Sequence, residues 1–444
     1  MNPERQKYLA AAAQLGARLC RDAIWWENRC NWLGSVMESV NGAWTIIERA
    51  SGPDLYGGTS GIALFLARLA QVTGEKLFRR TAIGALNQAW SRREDIVPAA
   101  RLGFYSGWLG IACARVAAAE SLGLPDQGVR ALELAEALAE AKPDPLALDV
   151  ISGSAGAIPA LLELHRRLGK ESLLGFALAQ GEHLLRTARK REQGWSWKTL
   201  EMSMRDDLTG FSHGAAGIAW ALLELYKTTG EARWRAAAEQ AFLYERQWFD
   251  PQESNWADLR LLDQAAAQSP KPGCSMAWCH GAPGIALSRI RAWEILHDVS
   301  YRQEAEAALA TTAKALEAPG QAAVGNYSLC HGQAGNAEAL IYASQVLDPG
   351  YLRPAEATAE RGLQLYHTPR ATWPCGVPGA GETPSLLLGL AGIGYFYLRM
   401  LDPQAFPSVL IVGPAAGTKP PAETTPPPPK RKAGRKKKRA PANV

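Results

Sequence analysis

"YSLCHGQAGNAEAL", residues 327–340, places a cysteine and a histidine directly before two glycines that are three residues apart. The same pattern occurs upstream as "AWCHGAPGIAL", residues 277–287. A third version, "GFSHGAAGIAWAL", residues 210–222, keeps the histidine and has a serine where the cysteine was. Three variants of one motif indicate an internal repeat, which decides the fold before any other feature does.

The glycine pair occurs seven times along the chain. Its copies are Gly58/Gly61, Gly107/Gly110, Gly153/Gly156, Gly214/Gly217, Gly281/Gly284, Gly332/Gly335 and Gly389/Gly392. Small and apolar residues follow each pair on nearly every helical face, which is typical of a buried helix. Amphipathic stretches such as "GVRALELAEALAEA", residues 128–141, lie between the copies and indicate outer helices. Each repeat is therefore predicted to be a helical hairpin, inner helix first.

We find no persistent strand alternation, so the predicted class is all-α. Stacked hairpins form either an open solenoid or a closed ring, and open solenoids have polar terminal repeats. The last copy, "LLLGLAGIGYFYLRML" at 386–401, is as apolar as the others, which favours closure. We therefore predict a seven-repeat α/α toroid over residues 51–412. A helical segment over 1–50 is expected to pack on it, and a disordered tail to cover 413–444.

Composition indicates which classes of protein the chain does not belong to. The chain has 444 residues, 47% of them hydrophobic, and no apolar run long enough to cross a membrane. The N-terminus, "MNPERQKYLAAAAQ", has no signal-peptide core, so we expect a cytoplasmic protein. The seven cysteines are an odd number in a large chain, which argues for free thiols or metal ligands rather than a disulfide framework.

The tail is Pro-rich and then strongly basic. Residues 418–444 carry nine Lys/Arg and one Glu, a net charge of +8, within a chain whose total is +5. Such a segment is expected to be disordered. It serves either as a solubilising extension or as an electrostatic tether, for which an acidic leader peptide is the preferred partner and a nucleic acid is not expected.

Ring closure brings the inner-helix N-termini to one rim. The chemistry-bearing residues just before the glycines then converge there: Asp149, His213, Cys279, His280, Cys330 and His331. Zinc favours Cys and His ligands, and three protein ligands with an open fourth position are typical of a catalytic zinc. We predict one Zn²⁺ held by Cys279, Cys330 and His331. The alternative is that these cysteines are small core residues.

A zinc ion with two thiolate ligands suits the binding and deprotonation of an incoming thiol. The predicted reaction class is therefore attack of a thiolate on an electrophile. His213, preceded by Ser212, is a candidate general acid or base, although a capping or core histidine is the alternative. Asp149, four residues before Gly153, would orient that histidine, or else cap the turn.

At these motifs the chain resembles the lanthionine synthetase cyclase family, LanC and LanC-like proteins. "GFSHGAAGIAWAL", "WCHGAPGIAL" and "LCHGQAGNAEAL" carry the resemblance, together with "DVISGSAG" upstream. Other segments look most like the cyclase half of class II synthetases, here as a stand-alone cyclase. The resemblance implies a double-layered toroid and the same three zinc ligands. His213 would be the acid or base near the metal and Asp149 its catalytic partner.

The implied reaction is a Michael-type addition of a peptide cysteine thiol to dehydroalanine or dehydrobutyrine, which forms a lanthionine or methyllanthionine ring. The implied substrate is a dehydrated precursor peptide, and a separate dehydratase partner stays open. Family members often carry an arginine four residues before the first zinc cysteine, where this chain has Ser275. Stabilisation of the enolate must then come from elsewhere, and His280 is the predicted catalytic candidate.

Two other functions stay open. A LanC-like thiol transferase would add glutathione to dehydroamino acids in proteins with the same zinc and acid. A non-catalytic helical scaffold would use the zinc only to brace the rim. A glycosidase, which shares α/α toroid folds, needs paired carboxylates. Only Asp149 provides a carboxylate near a glycine pair.

Overall fold

A computed structural model describes residues 5–40, 43–124, 126–140, 146–261, 268–317, 325–368 and 370–412. Within these ranges the chain forms fourteen α-helices in two layers. The inner layer comprises α2 (Thr59–Thr73), α4 (Trp108–Leu122), α6 (Ser154–Leu168), α8 (Ala215–Thr229), α10 (Ala282–Leu296), α12 (Gln333–Val346) and α14 (Leu390–Leu401). The outer layer comprises α1 (Gln6–Asp22), α3 (Lys76–Ser91), α5 (Asp126–Glu140), α7 (Glu171–Thr187), α9 (Ala232–Arg246), α11 (Val299–Glu317) and α13 (Leu352–Tyr366).

The inner helices form a closed ring. Each one packs against the next along the chain, and α14 packs against α2. Most residues of these helices are buried on all faces, as their composition predicts. The predicted all-α, double-layered seven-repeat toroid is therefore confirmed.

The seventh helix pair joins the two ends of the ring. Six outer helices directly follow their own inner helices, whereas α14 packs against α1, the first helix of the chain. The N-terminal helix is thus a member of the ring rather than an addition to it. The last repeat takes its outer helix from the N-terminal part of the chain.

The expected helical segment over 1–50 is helical only in α1. It continues as two antiparallel hairpins, β1 (Ile24–Trp26) with β2 (Arg29–Asn31) and β3 (Leu33–Val40) with β4 (Ala43–Ala50). Aromatic and β-branched residues favour strands, and the sequence Asn-Gly at 41–42 is a strong hairpin signal. The prediction missed these local preferences because it followed the longer helical repeat.

Other non-α elements are short. Two further hairpins lie in the loops between repeats. The loop between α7 and α8 contains β5 (Arg189–Arg191) with β6 (Gly194–Ser196), and the loop between α9 and α10 contains β7 (Phe249–Asp250) with β8 (Asn255–Trp256). Single turns of 3₁₀ helix occupy Arg93–Asp95, Pro98–Ala100 and Pro349–Tyr351. None of the helices in the described parts of the chain combines the length and apolar character that a bilayer crossing requires.

The second glycine of every pair is required by close packing. A Cβ on Gly335 would collide with the carbonyl oxygen of Leu329, six residues earlier, and one on Gly156 with that of Val150. The other five copies have the same relation to the carbonyl six residues before them. The turn before each inner helix therefore folds back tightly on the first helical turn, a position that only glycine fits.

Backbone hydrogen bonds connect these turns around the rim. Six junctions between neighbouring repeats are bonded in this way: Tyr56 N to Tyr105 O (2.9 Å), Tyr105 N to Ile151 O (3.0 Å), Val150 N to Ser212 O (3.0 Å), Ser212 N to Cys279 O (3.2 Å), Cys330 N to Leu387 O (2.9 Å) and Leu387 N to Tyr56 O (3.0 Å). Among the described residues, no equivalent bond joins the fifth repeat to the sixth, between Cys279 and Cys330. We call this the open junction.

Aromatic side chains from different repeats meet inside the ring. Tyr105 and Trp278, from non-adjacent repeats, have ring centroids 5.3 Å apart. The segment after α14 reaches the same place, because Tyr105 donates to the carbonyl of Val409 (2.7 Å) and Trp278 to that of Leu410 (3.0 Å). The predicted tail, 413–444, lies outside the described residues.

Candidate active site

Two thiols meet at the open junction. Cys279 and Cys330 interact through a side-chain hydrogen bond, and Cys330 is only 6% exposed. The hydrogen bond from Cys330 and the positive charge of Arg260 lower the pKa of Cys279, while burial and its neighbour raise the pKa of Cys330. Of the two thiols, that of Cys279 is therefore the more easily ionised.

The turn of Cys279 differs from the other six. The first glycine of each pair has φ between −102° and −141°, with the exception of Gly281, whose φ is +93°. With ψ −166°, this conformation is essentially restricted to glycine. The irregular backbone at Gly281 lies two residues after Cys279, at the junction where the described residues form no backbone hydrogen bond.

Tyr56 also belongs to the thiol pair, because its hydroxyl hydrogen-bonds to Cys330. Sequence reasoning missed this residue. Tyr56 stands two residues before Gly58, as Cys279 and Cys330 stand two residues before their own glycines. Alignment of the seven repeats on that position would have found it.

His331 contacts the next segment of the rim rather than the thiols. Its Nε2 lies 2.8 Å from the carbonyl oxygen of Gly376, and burial lowers its pKa, so the ring is neutral with the proton on Nε2. Nδ1 then keeps its lone pair. Metal-bound histidines commonly donate their second ring N–H to a backbone carbonyl in this way.

The three predicted zinc ligands are of residue types that bind zinc, and the structure places two of them next to each other. The structure brings Cys279 and Cys330 together, and it gives His331 the hydrogen bond that a ligating imidazole uses. In the described ranges, however, no three His, Cys, Asp or Glu side chains are gathered closely enough to hold a metal ion. The complete ligand set therefore stays a prediction.

Asp149 and His213 form a pair on the same rim. Asp149 Oδ2 accepts from His213 Nδ1 at 2.5 Å, while Oδ1 accepts from the backbone N–H of Ser152 at 2.7 Å. Asp149 thus orients the histidine and caps its own turn, so both interpretations of this residue hold. The carboxylate fixes the proton on Nδ1 and leaves Nε2 of His213 free to exchange a proton.

The turn that carries His213 is held from two sides. Ser212 donates its N–H and its hydroxyl to the carbonyl of Cys279, each at 3.2 Å. Glu245 of α9 accepts from the N–H groups of Gly210 (2.8 Å) and Ala216 (3.0 Å). These bonds place the Asp149–His213 pair beside the turn of Cys279.

The imidazole ring of His280 stacks on that of His213. The two rings are stacked with centroids 5.8 Å apart, and His280 is 2% exposed. Burial lowers the pKa of His280 to about 3, so the ring is neutral near pH 7, and its Nε2 has no hydrogen-bond partner among the described residues. A neutral imidazole does not supply the positive charge that a developing enolate needs, so the predicted catalytic role of His280 has no electrostatic support.

Comparison with known proteins identifies relatives of the chain. The family model for lanthionine synthetase C-like proteins matches residues 50–411. The zebrafish (Danio rerio) protein "Glutathione S-transferase LANCL1" is 25% identical over 365 residues, which cover 78% of this chain and 82% of the relative. The Lactococcus lactis subsp. lactis protein "Lacticin 481/lactococcin biosynthesis protein LcnDR2" is 22% identical over 207 residues, 45% of this chain and 21% of that protein.

The fold of the chain is similar to that of a solved structure. "Nisin cyclase" superposes with a TM-score of 0.59 at 19% sequence identity, covering 80% of this chain and 90% of that one. At this identity the likeness concerns the fold alone.

Proposed function

Because the chain belongs to the lanthionine synthetase C-like family, we propose that it adds a cysteine thiol to a dehydroalanine or dehydrobutyrine residue of a dehydrated peptide. The product is a lanthionine or methyllanthionine thioether. A dehydratase acting beforehand would supply the substrate. Both curated relatives are named for reactions or pathways that fit this class of chemistry.

The observation that supports this proposal most is the position of the thiol pair. Cys279 and Cys330 meet at the open junction, beside the Asp149–His213 pair. Cys279, Cys330 and Nδ1 of His331 would hold a Zn²⁺ ion. When bound, that ion lowers the pKa of an incoming thiol and binds it as the thiolate.

The remaining steps belong to the side chains of the chain. His213 takes the thiol proton at Nε2, because Asp149 occupies its Nδ1. The sulfur forms a bond to the β-carbon, the Cα=Cβ double bond becomes single, and the electron pair moves to the carbonyl oxygen as an enolate. His213 then returns the proton to the α-carbon. No oxidant and no leaving group are required, so atoms and charge balance.

The test is incubation of the purified protein with a dehydrated, cysteine-containing peptide. Ring formation leaves the peptide mass unchanged and removes a free thiol, so we expect loss of iodoacetamide labelling with no mass gain. A peptide that keeps both its thiol and its dehydroamino acid would contradict the proposal.

A second candidate is the transfer of glutathione to dehydroamino acids. It is favoured by the match of a named glutathione S-transferase to 78% of the chain. Adding glutathione to the same incubation distinguishes the two, because transfer raises the peptide mass by one glutathione. A protein that retains zinc but performs neither reaction would instead be the scaffold.

The basic tail is proposed to capture an acidic leader peptide. Its net charge of +8 over residues 418–444 favours such a partner, and attraction between exposed charges is screened by salt. Deletion of 418–444 should raise the apparent KM for leader-bearing substrate, most of all at low salt. An unchanged KM at low salt would rule out this role.

A further inference from the structure

Arg260 is an anchored cation next to the thiol pair, and no glycine-pair motif contains it. Its Nε and Nη2 donate to the two oxygens of Asp258, at 2.9 and 2.6 Å. Asp258 Oδ2 also accepts from the hydroxyl of Ser275, at 2.6 Å. A two-point pair of this kind fixes the plane of the guanidinium group.

The backbone holds this arrangement against the loop that carries Cys279. The N–H of Asp258 donates to the carbonyl of Gly273 (2.8 Å), and Ala257 forms a β-bridge with Cys274. Asn255, which precedes them, accepts from the N–H of Ala282 (2.8 Å). The segment 255–260 therefore runs beside both ends of the loop 274–282.

The bonds of segment 255–260 to the loop that carries Cys279 place the guanidinium group of Arg260 on this side of the rim. Its positive charge contributes to lowering the pKa of Cys279, Cys330 and His331, so it lies within electrostatic reach of the thiol pair. The Arg260 side chain is 22% exposed, whereas that of Asp258 is 8% exposed. Among the described residues, nothing accepts a hydrogen bond from its Nη1.

Ser275 also contributes to the position of Arg260. Its hydroxyl binds the carboxylate that anchors Arg260. Ser275, four residues before Cys279, thus helps to orient a guanidinium group that comes from another segment.

Resting on the proposed function, we propose that Arg260 is a catalytic residue that donates Nη1–H to the carbonyl oxygen of the dehydroamino acid and stabilises the enolate. The donor is fixed by Asp258 before the substrate arrives, so little reorganisation is needed as charge develops. Removal of one such fixed donor typically costs about 10²-fold in kcat. A purely structural role for the Arg260–Asp258 pair predicts a loss of stability instead, with kcat retained in the folded fraction.

The kinetic test compares Arg260→Gln, Arg260→Lys and Arg260→Gln combined with Ser275→Arg. We expect Arg260→Gln to lower kcat roughly 10²-fold with little change in KM, and the lysine variant to recover part of it. The combined variant should recover about tenfold or more, because it returns a guanidinium group to the rim. Asp258→Asn with Arg260→Gln removes the pair without leaving an unpaired carboxylate, and should lose as much kcat as Arg260→Gln alone.

A matched control is Arg191→Gln. Arg191 forms a partly exposed ion pair with Asp206 at 2.8 Å. Its replacement should leave kcat within about twofold. Zinc content and thermal unfolding of each variant are measured alongside, so that a misfolded protein is recognised.

A second readout does not depend on turnover. The thiols of the protein as purified are alkylated with anionic iodoacetate and with neutral iodoacetamide, and Cys279 is followed by mass spectrometry. The ratio of the two rates reports the local field, so we expect it to fall about threefold in Arg260→Gln and to recover in the combined variant.

The outcomes separate the two proposals. An active wild type whose Arg260→Gln variant keeps both kcat and the alkylation ratio would overturn the inference and leave the proposed function standing. Failure of Ser275→Arg to restore any activity in a folded, zinc-containing combined variant would also overturn it. A wild type that adds no thiol to dehydrated peptides would overturn the proposed function, and the catalytic role of Arg260 with it.

Discussion

Six junctions of the rim and the seventh use the same turn for different purposes. At six of them, a backbone N–H of one repeat donates to a carbonyl of the next, and the ring is tied together. At the open junction the described residues show no such bond, and two thiols face each other instead. Gly281, the first glycine of that turn, lies there as well and has φ +93°. A repeat fold can thus leave one of its equivalent junctions free for chemistry while the others supply stability.

The largest effect should follow from removing the thiols of the open junction. Replacement of Cys279 or Cys330 by Ala should reduce the rate of thiol addition roughly a thousandfold or more, because a metal centre contributes several kcal/mol of transition-state stabilisation. Steady-state assays with a dehydrated peptide measure this.

The matched control for the thiol variants is Cys113→Ala. Cys113 lies in α4, and its Sγ is 3.9 Å from the carbonyl of Ala160. Its loss should cost stability but leave the rate within about threefold. Equal loss of rate in the Cys113 and Cys279 variants would mean that the open junction has no special role.

The next largest effect should come from the pair beside the junction. Asp149→Asn keeps an acceptor for the Ser152 N–H but no longer fixes the tautomer of His213. We expect kcat to fall about 10²-fold with zinc content unchanged, since general acid–base catalysis contributes about 10²–10⁴-fold. Measured kcat close to wild type would show that His213 does not move the proton.

A smaller effect should separate two tyrosines at equivalent repeat positions. Tyr56 hydrogen-bonds to Cys330 of the open junction, whereas Tyr105 donates to the carbonyl of Val409. Tyr56→Phe should weaken zinc binding about tenfold or more, because partners of metal ligands typically contribute 10–100-fold.

Tyr105→Phe is the control for the tyrosine variant. It should leave zinc affinity unchanged and lower the free energy of unfolding by about 1–2 kcal/mol. Competition with a chelator and chemical denaturation measure the two quantities. Equal zinc affinity in both variants would contradict the role assigned to Tyr56.

The smallest effect concerns a closed junction. Gly217→Ala places a Cβ against the carbonyl of Phe211 and should destabilise the fold by about 1–3 kcal/mol. Gly175 in α7 has no atom near its Cβ position, so Gly175→Ala should instead stabilise by up to about 1 kcal/mol. Urea denaturation decides the sign of each change. A stabilised Gly217→Ala variant would show that the turns are not tightly packed.

The repeat and the layers of the helices after α1 were predictable because they depend on local periodicity, and the apolar last repeat indicated closure of the ring. The contact of Asp149 with His213 followed from the convergence of equivalent positions on one rim. Arg260 was not predictable in this way. It lies in a spacer between glycine pairs, and its position depends on contacts with Asp258 and Ser275 that bring distant loop segments together.

The repeat pattern also could not predict how the two ends of the ring are built and joined. The hairpins over 24–50 depend on short-range strand preferences, and the pairing of α1 with α14 connects residues almost the whole chain apart. An apolar last repeat indicates that something must cover it. It does not indicate which helix does so.

The central claim is that the open junction holds a metal ion between its two thiols. Metal analysis of the purified protein, with cobalt substitution to reveal sulfur coordination by its absorption, tests it directly. We predict one zinc per chain, a thiolate-to-cobalt charge-transfer band, and loss of both in a Cys279→Ala, Cys330→Ala double variant that still folds. A native protein without zinc, or a double variant that binds the metal as tightly as the wild type, would contradict the account.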